Sequence, residues 1–420
     1  MPTKETESLV SPRINRLKQD LEVGNETALD EFWHEITEKG TPLIEPILGD
    51  SQYALVTFIW RGNQETKHVV LNTELLRSGW WNHWENAKFT RLLQTDLYYL
   101  TCRALLEARF VYRIAPNAPL VHVKDIPPSE YAAMLQLDPL NPHKFVQDLD
   151  RSLVEMPAAP PQPWWPPRPE NPAGRVELRS WHSESLGNDR NIGVYTPPNY
   201  APEGDPYPWL LLFDGEIYTT HISALTTLDN LIAAGRIPPL VVVLLDSPSR
   251  EPELYCNEPF TDFLVQEIVP WVHQTYQVTT DPSQTIVGGM SAGGLAAAFT
   301  SFRYPEVFGN ILSQSGAFGW FPEINPSAFW SYEIPPEEEW LTRQFARRER
   351  LPLRFYLDVG LLESKRDDAT ITLLCANRHL RDVLQAKGYW LHYAEFCGGH
   401  QYISWRGTLA EGLLALIGTA

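Results

Sequence analysis

The chain has 420 residues and carries 34 Lys and Arg against 52 Asp and Glu, a formal charge of −18. Neither half of it is basic, which argues against a nucleic-acid or anionic-membrane binder, since both need a basic face for phosphate. With 43% hydrophobic and 20% charged residues, the chain has the apolar content to bury a large core in two or three domains, and disorder is set aside.

The start, MPTKETESLVSPRIN, holds no apolar run that could act as a secretory leader. The longest aliphatic stretches, such as Leu240 to Leu245, fall far short of the roughly 20 residues a membrane span needs. The expectation is a soluble, cytoplasmic protein. Cys102, Cys256, Cys375 and Cys397 are scattered without CxxC spacing, which fits reduced thiols, and the single C-x-x-H of Cys397 and His400 lacks partners for a metal.

Residues 27 to 39 place Leu29, Phe32, Trp33 and Ile36 at helical spacing ahead of Gly40 and Pro42. The period then changes. Residues 53 to 60, 68 to 71, 97 to 105 and 108 to 114 are short and rich in β-branched and aromatic side chains, which predicts a small antiparallel β-domain over 1 to 156. Within it GWWNHW gathers Trp80, Trp81 and Trp84, read as core or interdomain packing ahead of a ligand platform. Between Pro157 and Pro172 eight of sixteen residues are proline, a composition that favours stiff extended chain, so residues 157 to 174 read as a connector.

From 175 to 420 strand-like and helix-like segments alternate, the pattern of a parallel sheet with helical crossovers. Strands are expected at 190 to 197, 208 to 215, 239 to 246, 284 to 288, 310 to 316, 354 to 360 and 390 to 396, and helices at 222 to 234, 261 to 276 and 294 to 302. Residues 335 to 350, PPEEEWLTRQFARRER, read as a solvated helix.

The sharpest local signal is TIVGGMSAGG, in which Gly289-Met290-Ser291-Ala292-Gly293 forms G-x-S-x-G between a buried-looking strand and a helix. A serine on such a turn is lifted above the sheet, and the amide of Ala292 at the helix start is aimed at a developing oxyanion. The hydroxyl needs a base, and in this arrangement the base comes last in the chain, after the acid. His400 fits, because it follows a strand and the flexible Gly398-Gly399, whereas His379 and His392 lie inside helical and strand patterns. The carboxylate that steadies the imidazole is expected after the strand ending at Gly360, where Glu363 comes first and Asp367 and Asp368 follow.

Beyond these residues the chain resembles the enterochelin esterases, siderophore-hydrolysing members of the esterase D group of α/β-hydrolases. The resemblance runs through LLLFDGEIY, SREPELYCNEPFTDFLVQEIVPWV, GGMSAGG, SQSGAFGWF, GGHQYISWRGTLAEGL and, in the N-terminal half, FIWRG and the proline-rich connector. It implies an α/β fold with an α/β-hydrolase catalytic domain behind a smaller, mainly antiparallel β-domain. It also implies Ser291 as nucleophile, His400 as base, an acid in the loop after Gly360, and a second oxyanion amide from the Asp214-Gly215-Glu216 turn. The activity implied is cleavage of serine ester bonds in catecholate siderophores of the enterobactin type, which bring their own iron, so that no resident cofactor or protein metal is expected. A ferric catecholate is a trianion with three aromatic rings, and Arg250, Arg61 and Arg406 are the candidate counter-charges, with Asn257 in the same run as Arg250. Two other readings are a generic acyl or feruloyl-type esterase, which needs neither the N-terminal domain nor the Arg250 segment, and a non-enzymatic binding module.

Overall fold

The computed structural model describes residues 10–76, 87–146, 150–322, 338–364 and 371–419. Contacts divide the chain into two compact units. One contains the chain up to Pro160 together with Cys397–Gln401; the other contains Pro161–Ser364, the described residues from there to Phe396, and the chain from Tyr402.

The first unit pairs two helices, Pro12–Glu22 and Ala28–Lys39, with two four-stranded antiparallel sheets. Ile14, Leu17, Phe32, Trp33 and Ile36 form the buried stripe of the helices and pack with Ile59 and Leu97 of one sheet. That sheet joins Tyr53–Arg61 to Leu97–Leu105, and the other joins Val69–Thr73, Arg109–Pro116 and Arg151–Glu155. Helix Pro12–Glu22 and strand Arg151–Glu155 were not among the expected elements. Trp80, Trp81 and Trp84 lie outside the described residues.

In the second unit eight strands form one sheet: β1 Arg175–Ser183, β2 Asn188–Thr196, β3 Trp209–Phe213, β4 Val241–Leu245, β5 Thr285–Met290, β6 Asn310–Gln314, β7 Arg354–Gly360 and β8 Trp390–Phe396. Their order is β8-β7-β6-β5-β3-β4-β2-β1, with the β1–β2 and β2–β4 pairs antiparallel and the neighbours from β4 through β8 parallel. The central strands are apolar on both faces, as a sheet covered by helices on both sides must be. Leu211, Phe213, Val243 and Val287 join one core, and the alternating Leu210, Leu212, Val242 and Ile286 join the other.

Two expectations change. The helix expected over 261 to 276 is interrupted: Glu258–Phe263 and Val269–Thr275 are α-helical and Leu264–Ile268 between them is a π-turn. Pro270 has no amide to give a continuous ladder, and the wider turn absorbs the mismatch. The charged stretch at 335 to 350 is not uniformly solvated, since its helix Trp340–Arg347 buries Leu341, Thr342 and Phe345. Of the expected connector at 157 to 174, the part beyond Pro160 is hydrogen-bonded within the second unit. Asn230 Nδ2 donates to the carbonyls of Trp164 (2.8 Å) and Pro166 (2.9 Å), Gln162 Nε2 donates to Ile403 O (2.8 Å), and the Gly174 amide donates to Asp229 (2.8 Å).

Candidate active site

Ser291 follows β5 and precedes helix Ala292–Arg303, at φ +55 and ψ −119. This region is unfavourable for a residue with a side chain, so the surroundings must hold it there. Its amide donates to Gln314 O (2.8 Å), and its carbonyl accepts from the amides of Ala317 (2.9 Å) and Leu295 (3.2 Å). The tightness of the turn explains Gly289: a Cβ there would stand 2.7 Å from the carbonyl carbon of Gly293. Ala292 opens the helix, where the first amides have no intrahelical acceptor, which leaves an N–H able to meet a developing oxyanion.

A second strand-to-helix turn, in the left-handed helical region rather than the conformation of Ser291, ends β3. Asp214 sits at φ +57, and Gly215 opens the short helix Gly215–Thr220. The Glu216 amide donates to Asp246 Oδ1 (2.9 Å), and burial raises the Asp246 carboxyl above its ordinary value. Arg250 grips Asp214 from the side, with Nε to Oδ1 and Nη2 to Oδ2 both at 2.7 Å. Both side chains line a cavity of about 450 Å3 that also contains Asp189, Glu216, Asp246 and Ser247.

Glu363, in a 3-10 turn directly after β7, is buried. Its Oε1 accepts from the Gly360 amide (2.8 Å) and from Ser315 Oγ (2.7 Å). Asp367 and Asp368 lie outside the described residues. His400 is in the other unit, in the segment Cys397–Gln401. Within that unit the Cys397 carbonyl accepts from the Arg109 amide (2.9 Å), and Gln401 Nε2 donates to Glu74 Oε1 (2.7 Å).

Like Arg250, the other expected binding residues have hydrogen-bond partners within the chain, Arg61 with its side chain exposed. Asn257 caps helix Glu258–Phe263, accepting from the Phe260 amide (2.8 Å) and donating to Pro252 O (2.9 Å). Arg61 bonds Asp96 (2.8 Å) with its guanidinium 4.9 Å from the Trp33 ring centre. Arg406 is buried, bonds Gln162 (3.1 Å) and lies 3.6 Å from the Trp165 ring centre.

Sequence reasoning missed the support behind Ser291. Gln314 Oε1 accepts from Tyr218 (2.7 Å), while its Nε2 donates to Thr408 Oγ1 (2.6 Å) and Trp405 O (2.9 Å). The available signal was Ser313, Gln314 and Ser315 in a row at the end of a buried strand, where most polar groups find a partner; Gln314 and Ser315 do, and the Ser313 hydroxyl does not among the described residues.

A strained serine between a central strand and a helix, with an anchored carboxyl after another strand of a largely parallel sheet, puts the chain among the α/β-hydrolase esterases. Residues 183–416 match the family described as "Putative esterase", and residues 55–165 match "Enterochelin esterase, N-terminal". The chain belongs to the enterochelin esterase family and is an ester hydrolase. It is 27% identical to the iron(III) enterobactin esterase of Dickeya dadantii over 92% of both chains, and 30% identical to that of Yersinia enterocolitica over 75% of this chain and 92% of the relative. The enterobactin esterase from Shigella flexneri, solved in the presence of enterobactin, superposes with a TM-score of 0.70 at 27% identity, covering 90% of this chain and 96% of that one.

Proposed function

We propose that this chain hydrolyses the serine ester bonds of catecholate siderophores of the enterobactin type, lowering their denticity so that bound iron can be released. The observation that carries this is the match at both ends of the chain: a generic or feruloyl-type esterase needs residues 183–416 and has no use for a domain like that at residues 55–165.

In the proposed reaction Ser291 Oγ attacks the ester carbonyl carbon and passes its proton to His400, while Glu363 steadies the resulting imidazolium. The amides of Ala292 and Gly215 hold the oxyanion. As the tetrahedral intermediate collapses, the ester C–O bond breaks and the departing seryl oxygen takes the proton from His400, leaving an acyl-enzyme. Water then attacks the acyl carbon, giving up a proton to His400, and as the bond between that carbon and Ser291 Oγ breaks, the departing Oγ takes this proton back and the acid product is freed. The chemistry needs no resident cofactor. Arg250, whose guanidinium is bidentate to Asp214 at the wall of a cavity that also carries Asp189, Glu216 and Asp246, is a proposed contact for the catecholate, as are Asn257, Arg61 and Arg406, each likewise hydrogen-bonded within the protein.

The test compares kcat/KM on a linear trimer of 2,3-dihydroxybenzoylserine, a feruloyl ester and p-nitrophenyl acetate. The proposal expects a preference for the trimer of at least tenfold over both, and equal or reversed preference would favour the generic esterase.

A further inference from the structure

Ser315 links the proposed acid to the core in a conformation its side chain must justify. It follows β6 at φ +48, a region where a Cβ is disfavoured, and it is fully buried. Its amide donates to Asp358 O (2.9 Å) and Oδ1 (3.1 Å) on β7. Its hydroxyl accepts from Trp405 Nε1 (3.0 Å) and donates to Glu363 Oε1 (2.7 Å). A hydroxyl has one hydrogen to give, and an indole N–H on its oxygen restricts where that hydrogen can point.

We propose that Ser315 and Trp405 are positioning residues for Glu363: the indole N–H orients the Ser315 hydroxyl, and the hydroxyl and the Gly360 amide together pin Glu363 Oε1 in a single rotamer. This rests on the reading of Glu363 as the triad acid. Asp358 fits the same arrangement. Burial pushes its carboxyl up to about 8, so near neutral pH it is mostly protonated and adds little second negative charge beside Glu363. A hydrogen bond to a charged acceptor is among the stronger ones, so losing it has a measurable cost.

The experiment uses Ser315→Gly, because glycine accepts a positive φ without strain and the substitution removes only the hydroxyl and its carbon. On p-nitrophenyl acetate and on the catecholate trimer, kcat is expected to fall about tenfold with KM within twofold of wild type. Trp405→Phe, which keeps a ring and loses the N–H, is expected to fall about threefold. In a Glu363→Ala background, Ser315→Gly is expected to cost nothing further, which an ordinary core residue would not reproduce. Wild-type kcat in Ser315→Gly would overturn the inference, and so would a loss that persists undiminished in the Glu363→Ala background. If the wild-type chain cleaves the neutral ester and leaves the trimer intact, the substrate reading fails, and the Ser315–Glu363 coupling is still decided on the neutral ester.

Discussion

Replacing Ser291 with Ala removes the hydroxyl while leaving the main-chain hydrogen bonds that hold the turn, donated to Gln314 O and accepted from the amides of Ala317 and Leu295. Turnover should therefore fall by several orders of magnitude with the unfolding midpoint and ligand affinity nearly unchanged. His400→Ala should match it, since base and nucleophile act as a unit, and Glu363→Gln should be milder. Residual activity of more than a few per cent in Ser291→Ala, read as initial rate on either ester, would remove Ser291 from the nucleophile's role. At Asp358 the consequence is one of stability. The folded carboxyl titrates near 8 against an ordinary 3.8, so the native state keeps a proton that the unfolded chain has lost. The stabilisation from that site is complete below the ordinary value and disappears as pH rises through about 8. Urea unfolding from pH 4 to pH 8 should show a falling contribution that Asp358→Asn abolishes; parallel pH slopes in the two proteins would contradict the assignment. Single residues were legible unevenly. Ser291 and His400 stand in sequence patterns that chemistry requires, whereas Ser315 and Trp405 act through a contact between positions 90 apart, which no local pattern encodes.

Among the elements, the segment Cys397–Gln401 is the one whose chemistry depends most on its packing. Gly399 lies against Glu74 so closely that a Cβ would overlap the carboxylate. Gly399→Ala should therefore push the Glu74 carboxylate off Gln401 and loosen the segment that carries His400, lowering kcat on small and large esters alike by severalfold; a wild-type rate, with the variant folded by circular dichroism, would show that the Glu74 side chain moves aside without consequence. The start of helix Glu258–Phe263 gives a contrasting case. Asn257→Ala removes a side-chain cap and should cost about 1 kcal/mol of stability, seen in denaturant unfolding. A selective rise in KM for the catecholate without destabilisation would place Asn257 in substrate binding and not in the cap. The strands of the parallel sheet were readable because burial on both faces leaves apolar runs such as VVVLL and WLLLF. β1 escaped because most of its side chains are exposed or half-exposed and the core imposes no pattern on them. Helix Tyr402–Ile417 escaped for the opposite reason: it buries residues around most of its circumference, from Trp405 and Arg406 to Leu409, Ala410 and Gly412, so no amphipathic stripe marks it.

For the whole molecule, the formal charge of −18 opposes the approach of an anionic substrate. Raising ionic strength from 20 to 300 mM screens that repulsion, so kcat/KM on the ferric catecholate should rise severalfold while that on p-nitrophenyl acetate stays level. A fall with salt on the catecholate would instead point to a local cationic surface that outweighs the net charge. Neither unit alone carries the functional reading, because the esterase unit is shared by enzymes of many specificities and the first unit ties the chain to one family. The most direct measurement is mass-spectrometric product analysis after incubating ferric enterobactin-type trilactone with the wild-type chain and with Ser291→Ala. The account predicts 2,3-dihydroxybenzoylserine and its linear oligomers from the wild type and intact trilactone from the variant; intact trilactone in both, or the same products from both, would contradict it.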